Sequence, residues 1–404
     1  MPAPVRVLVG SQFGIFFAGN ALSLIGTWMQ RIACSWLVWE WTHSAFWLGV
    51  LAAGDLLPVV LIGPFAGVVA DRFDRLKQNR AAQFISALLA ILMAGLLVIG
   101  KLELFSLVAL VTAQGALVAA VQPARLAMVQ QMVRREDMAT AVALNSVCVN
   151  LARLLGPAAA GVMILHLNVV WIFIINALVT FCFVIVLGRL KLDPHERPHH
   201  GPFFRQMAEG FTYVLDTQAL RLILLVLLLG GVTVRAMLEL VPAIAAQSFS
   251  SAATGLAVLT GAAAVGAVTS GLTVGRVSDA RLLSQAIWWW AIGAVATIVL
   301  TRTGQPAIAV LSAVLMGAAI TRALIGTQTF VQLTTVDKLR GRTLSVHGLI
   351  ARASPALGAL AIGFFADRFG LGATVSVSSG LLLIVLVVLG LMLRGRSDQV
   401  AELD

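Results

Sequence analysis

Seven side chains stand where charge is expensive. Arg31, Arg153, Arg235, Arg322 and Arg352, with Asp55 and Glu239, each interrupt a long apolar run of the chain. At mid-bilayer an ionised side chain costs at least about 2.5 to 3.5 kcal/mol on insertion scales, so it is expected to face a cavity, a partner or a charged solute. Arg235 and Glu239 are four apart, the spacing of neighbours on one helical face, and either neutralise each other or form a functional pair. Arg31, Arg153 and Arg352 have no acidic residue at helical spacing. Each therefore needs a carboxylate from another helix, a hydrated cavity or an anionic solute. For Arg31 and Arg322 the alternative is a side chain reaching to the membrane interface. Five cations against two carboxylates suggest anionic or acidic amphiphilic cargo. Trp28, Trp36, Phe16 and Phe17 could supply an apolar wall, although aromatic residues in such runs more often face lipid or core. Asp55 has no basic residue three or four positions away and is the better proton-carrier candidate. Glu239, beside Arg235, suits a structural role or orientation of a substrate.

Composition defines the elements that must hold these groups. Of 404 residues, 59% are apolar and 11% charged, and the mean hydropathy is +0.96. That is far above the roughly 45–50% apolar content of soluble domains, so a water-soluble fold is excluded. Gly, Pro and charge divide the chain into twelve apolar runs, at 11–38, 44–66, 80–100, 104–123, 141–166, 169–188, 219–243, 253–275, 282–301, 306–326, 345–366 and 371–393. Each is near the ~20 residues a spanning helix needs, and a helix satisfies its own backbone in lipid. The expected fold is an all-α membrane protein with twelve transmembrane helices in two pseudo-symmetric six-helix bundles. The N-terminal bundle is 1–188, a linker containing Pro194, Pro198 and Pro202 is 189–218, and the C-terminal bundle with a short tail is 219–404. His195, His199 and His200 have no acidic or cysteine cluster beside them, so the linker reads as solvated, and no metal or cofactor is expected. Cys34, Cys148 and Cys182 read as packing residues. The first run is too long for a signal-peptide core and is expected to remain as the first span.

The net charge of +10 reads as topology rather than nucleic-acid binding. Twenty basic residues fall at the termini, the linker and one set of loops, and three, Lys101, Arg302 and Arg368, fall in the opposite loops. That asymmetry places both termini in the cytoplasm.

The two halves also match. Gly26 precedes Arg31 by five residues in span 1, as Gly230 precedes Arg235 in span 7. Val129-Gln130 then Ala152-Arg153 and Pro157 correspond to Val331-Gln332 then Ala351-Arg352 and Pro355. The loop from Gly67 to Arg72 corresponds to that from Gly271 to Arg276. Duplication of a six-helix unit explains all three pairs; the alternative is chance likeness among Gly- and Ala-rich helices.

Pro64-Phe65-Ala66-Gly67-Val68-Val69-Ala70-Asp71-Arg72-Phe73-Asp74-Arg75 resembles the signature between helices 2 and 3 of the major facilitator superfamily. Gly26-Thr27-Trp28-Met29-Gln30, Pro123-Ala124-Arg125, Arg135-Glu136-Asp137 and Arg340-Gly341-Arg342 are similar to the branch containing the bacterial enterobactin exporter and related secretion effectors. The resemblance implies a two-bundle transporter with alternating access in the bacterial inner membrane. It places Gln30 with the charged residues on the substrate and proton pathway. It makes Gly67, Asp71, Arg72 and Arg75 a gate, with Asp71 offering a carboxylate to a helix N-terminus or basic partner. The alternative is a topology anchor of positive charge alone. In span 5, Gly156, Pro157 and Gly161 are similar to the antiporter motif of export members. Ala160, Ala143 and Ala152 depart from its glycines, which leaves a plain packing kink as the other reading.

The function expected is export of a small organic solute by a monomeric, proton-coupled antiporter with the bilayer as surroundings and no nucleic-acid partner. A lipid or lysophospholipid transporter on the same fold is the alternative. There is no Walker-type phosphate loop, H-E-x-x-H or G-x-S-x-G elbow, so neither ATP hydrolysis nor a membrane-embedded enzyme is favoured.

Overall fold

Pro, Gly and polar residues mark where each helix of this chain stops. A computed structural model describes residues 3–9, 11–192, 203–273 and 282–401, and within them it has helices and no strand. In order the helices are α1 (Ala3–Val9), α2 (Gln12–Thr42), α3 (Ala45–Leu56), α4 (Pro58–Arg72), α5 (Arg75–Val98), α6 (Leu104–Gln131), α7 (Met138–His166) and α8 (Val170–Arg189). They continue as α9 (Phe203–Asp216), α10 (Gln218–Thr233), α11 (Val241–Ser248), α12 (Ala252–Leu272), α13 (Leu282–Arg302), α14 (Pro306–Thr334), α15 (Asp337–Phe369) and α16 (Leu371–Ala401). Eleven spans among the described residues are long and apolar enough to cross a membrane. The twelfth is α2, whose 31 residues exceed the required length. Its hydropathy is lowered by Asn20, Ser23, Thr27, Gln30 and Arg31.

Two spans are broken where proline removes a backbone donor. The second divides at Leu57, after which Pro58 opens α4. The seventh ends its α-helical part at Thr233, passes through a 3-10 turn at Arg235–Leu238, and resumes in α11 with Pro242 in its first turn.

The helices cluster into two units. One comprises residues 1–41 and 54–203, the other 42–53 and 204–404. The division falls inside α3, whose residues 45–53 cluster with the second unit. The reason is close backbone approach: a Cβ at Gly49 would lie 2.5 Å from the Ala359 carbonyl oxygen, and one at Gly363 would lie 2.4 Å from that of Ala45.

Lipid-facing and protein-facing positions separate cleanly on α8. Ile172, Phe173, Asn176, Ala177, Thr180, Phe183, Val184 and Leu187 are buried, a stripe of period 3.6. Trp171, Leu178 and Phe181 on the other side are exposed, the pattern of a helix with one face to the bilayer.

The linker is not simply solvated chain. It contains α9, whose Glu209 pairs with Arg342 at the start of α15, while Gly210 lies against the Arg342 backbone. His195, His199 and His200 lie outside the described residues.

Candidate functional site

In the first unit α2, α3 and α7 bring charge together around one indole. Trp28 and Arg31 are three apart on α2, so the guanidinium turns back over its own helix, 5.2 Å from the Trp28 ring centroid. Arg153 of α7 stands 5.2 Å from the same ring. Gly156 makes this possible: one turn beyond Arg153, its Cβ would meet the Trp28 Cβ at 2.5 Å and the Ile25 carbonyl oxygen at 3.0 Å, so α7 lies directly on α2. The helix continues through Pro157 and Gly161 to His166, with Pro157 buried in its interior.

Arg31 also pairs with Asp55 of α3, Nη2 to Oδ2 3.2 Å, each side chain about a quarter exposed at 26% and 28%. This corrects the spacing argument for Asp55. Absence of a basic residue on its own helix said nothing about the neighbouring helix, and Arg31 is there. It also answers for Arg31, which reaches a carboxylate rather than the interface.

Gln30 anchors a second cluster one residue away, on the buried side of α2. It donates to Gln114 Oε1 of α6 at 2.7 Å and accepts from Asn176 Nδ2 of α8 at 2.6 Å, and Asn176 accepts from Thr180. Buried amides demand such partners, and three helices are thereby fixed in register. Phe16 belongs to the core rather than to a cargo wall: it is 1% exposed and lies 5.7 Å from Phe183.

The second unit arranges its charges differently. Arg235 lies in the 3-10 turn and donates to the Ala351 carbonyl of α15. Its four-residue spacing to Glu239 therefore does not mean a shared α-helical face, because three residues complete a turn there. Arg352 follows Ala351 and is half-buried. Close packing of α10 on α15 surrounds both, since a Cβ at Gly358 would fall 1.9 Å from the Val232 carbonyl oxygen. Arg322 of α14 is a helix clamp. It bonds Ser270 Oγ (3.1 Å), the Thr273 carbonyl (2.8 Å) and Thr273 Oγ1 (2.7 Å) at the C-terminal end of α12, with Trp289 5.5 Å away. A cation there complements the dipole at the C-terminal end of α12.

At the expected gate, Arg75 begins α5, whose N-cap Asp74 accepts from the Lys77 amide. The side chains of Asp71 and Arg72, and the surroundings of Gly67, lie outside the described part, as do Gly275 and Arg276.

The sequence profile described as transmembrane secretion effector matches residues 3–402. The chain belongs to this family of major facilitator transporters. It is 27% identical over 175 residues to the staphyloferrin A transporter of Staphylococcus aureus, covering 42% of this chain and 43% of that one. The chain thus spans less than half the length of that relative. To the macrolide efflux protein A of Streptococcus pyogenes it is 23% identical over 93% of this chain and 95% of that protein. To the multidrug efflux pump Tap of Mycobacterium tuberculosis it is 26% identical over 90% and 89%. Among solved structures, a bacterial homologue of the human lysosomal transporter Spinster superposes with a TM-score of 0.71 at 15% identity, covering 97% of both chains. A D-xylose–proton symporter superposes with a TM-score of 0.68 at 11% identity over 95% of each. At such identities the likeness is one of fold. The family match over residues 3–402 places the chain among multi-pass membrane transporters rather than among enzymes.

Several residues of this transporter that hold its helices together carry little signal in the sequence. Gln114, Asn176 and Thr180 sit on inward stripes of apolar helices, and the stripe phase was the signal that could have found them. His347 of α15, buried at 6% exposure, shares a 3.0 Å hydrogen bond with the fully buried Thr327 of α14. Each unit also has an ion pair at the same place in its fold: Arg6 of α1 with Asp137 at the head of α7, and Glu209 of α9 with Arg342 at the head of α15.

Proposed function

We propose that this chain is an inner-membrane exporter of small organic solutes, acting as a monomer by alternating access and exchanging solute for protons. Both termini face the cytoplasm, and the N-terminal bundle (1–188) and C-terminal bundle (219–404) are the moving parts, with Gly67, Asp71, Arg72 and Arg75 forming the cytoplasmic gate. The observation that carries the reading is the Arg31–Asp55 pair above Trp28, beside Arg153. An ion pair within apolar spans, in a family whose relatives are named for efflux, is suited to exchange one partner for a proton or solute.

The sign of coupling follows from which partner is exchanged. Antiport requires solute and proton to oppose each other's binding, a negative coupling between two ligands. A solute that brings a cationic or donor group to Asp55 competes with the proton there, and exchange results. An anionic solute that takes Arg31 leaves Asp55 to bind together with a proton, and cotransport results. Proton-driven export through this pair therefore favours a cationic or neutral amphiphile. Anionic cargo, favoured by the five cations, belongs at cations outside this pair, such as Arg352.

The test is a proteoliposome assay with an imposed pH gradient and a panel of cationic, neutral and anionic amphiphiles. Wild type should accumulate a cationic or neutral member against the gradient, and Asp55→Asn should lose that response while Glu239→Gln keeps it. Gradient-driven accumulation by Asp55→Asn equal to wild type rules out coupling through Asp55. Movement of headgroup-labelled lipid instead would identify a lipid transporter.

A further inference from the structure

The heptapeptide that ends α4 occurs twice. Gly67-Val68-Val69-Ala70-Asp71-Arg72-Phe73 has a counterpart, Gly363-Phe364-Phe365-Ala366-Asp367-Arg368-Phe369, identical at five of seven positions. The second copy ends α15. By the alternation of twelve spans the two copies lie on opposite faces of the membrane.

Within the second unit the aspartate of this copy has a defined role. Asp367 accepts from the backbone amides of Ala45 at 2.8 Å and Phe46 at 3.4 Å, and from the Ser44 hydroxyl. Ser44 Oγ in turn accepts from the Trp47 amide at 3.3 Å. These are the donors that the first turn of a helix leaves unsatisfied, and a carboxylate at that end also meets the positive pole of the dipole. An aspartate on α15 thus caps α3, a helix more than 300 residues away in sequence. Below the cap the contact is smooth, with Gly49 and Gly363 letting backbones meet and Phe46 edge-on to Phe364 at 6.1 Å. From Gly54 onward the same helix is held in the first unit, where a Cβ at Gly115 would lie 2.5 Å from the Asp55 carbonyl oxygen.

We propose that Asp367 is a releasable latch: it holds the first half of α3 on α15 in the state described, and lets go when the transporter opens on that face. The inference rests on the alternating-access reading. The latch suits release because its bonds come from one exposed carboxylate, which water can replace, and because glycine-lined surfaces part without unlocking interdigitated side chains. The neutral helix-end donors it satisfies are few, so a single substitution can shift the balance of states.

The test uses the full chain in proteoliposomes, with Cys34, Cys148 and Cys182 replaced by Ser and one cysteine placed at Ala359, which is 0% exposed beneath Gly49. Maleimide labelling of Ala359→Cys reports how often α3 leaves α15, and needs no solute. Asp367→Ala should raise its rate about tenfold, as expected for loss of one charge-assisted contact. Ser44→Ala, which leaves the carboxylate in place, should raise it less, and Asp367→Glu should remain near the parent. Parent-like rates in both alanine variants would overturn the latch. So would an equal rise at a buried cysteine remote from the contact, Ala313→Cys, which would mean general loosening. In a second arm, a Phe46→Cys, Phe364→Cys pair is cross-linked. Solute efflux should stop and return on reduction, and undiminished efflux in the cross-linked protein would also overturn the latch. If no solute moves in either form, the exporter reading fails while the labelling rates still decide the latch.

Discussion

Replacing Gly156 by alanine adds one methyl group at the most crowded point of the charged site. Its Cβ would stand 2.5 Å from the Trp28 Cβ, 3.0 Å from the Ile25 carbonyl oxygen and 3.2 Å from the Met29 amide nitrogen. Carbon atoms prefer about 3.5 to 4.0 Å, so α7 must withdraw from α2 by about 1 Å, because two of the three neighbours are backbone and cannot rotate away. Overpacking of this kind costs about 1–3 kcal/mol. The helix preference of alanine over glycine offsets about 0.5–1 kcal/mol of that. Arg153, one turn before Gly156, moves with α7, and its 5.2 Å separation from Trp28 approaches the ~6 Å limit of a cation–π contact. The control is Gly95→Ala on α5, where nothing lies within 4 Å and only the helix preference acts. Thermal melting of the purified transporter should show Gly156→Ala below wild type and Gly95→Ala level with or above it, with efflux reduced only in the former. If Gly156→Ala melts with Gly95→Ala, the close packing of α7 on Trp28 is not what positions Arg153.

Gln30→Ala leaves the buried Asn176 Nδ2 without its acceptor, a loss of about 1–3 kcal/mol, and should lower the melting temperature more than Cys34→Ala on the same helix. Arg322→Met removes the bonds to Ser270 and Thr273 and should speed amide exchange over the last turn of α12 without changing the solute profile. Glu209→Arg should detach α9 from α15, seen as faster proteolysis of the linker, and adding Arg342→Glu should restore protection. Asp71→Asn should fold yet transport poorly, through a shifted balance of inward-open and outward-open forms, and wild-type rates would remove it from the gate. A cysteine at Gly201 should resist an impermeant thiol reagent applied outside intact cells, and ready labelling would reverse the proposed orientation.

What could be read from sequence is what depends on one helix at a time. Apolar runs, their length and the proline breaks located the spans, because bilayer thickness acts on each run separately. What was lost is what depends on two helices. Asp55 looked isolated because its cation, Arg31, is 24 residues away and on another span. Arg235 and Glu239 have the spacing of one face of a continuous α-helix, whereas the chain passes through a 3-10 turn at Arg235–Leu238, which spacing alone does not reveal. Gln30 stood out in the family resemblance, but its partners Gln114 and Asn176 become visible only when the buried stripes of α6 and α8 are set beside α2.

The ion pairs at the heads of α7 and α15 show what the two halves of the fold share. Arg6 binds Asp137, and Glu209 binds Arg342, at equivalent places but with the charges exchanged. A repeat sought by matching residue types cannot find this pair, because arginine lies where its counterpart is glutamate. The physical requirement is only that the helix before the first span of each unit be tied to the head of the fifth. Either polarity meets it, since the attraction depends on the product of the charges and not on which side carries which. Glycines behave in the same way: Gly156 carries α7 onto α2, and Gly358 carries α15 onto α10, although their distances from Pro157 and Pro355 differ. Pseudo-symmetry in this fold therefore lies in which helices touch and how closely, and the chemistry at each contact is free to diverge. That freedom is what allows the first unit to hold an Arg31–Asp55 ion pair where the second holds Arg235 against a backbone carbonyl.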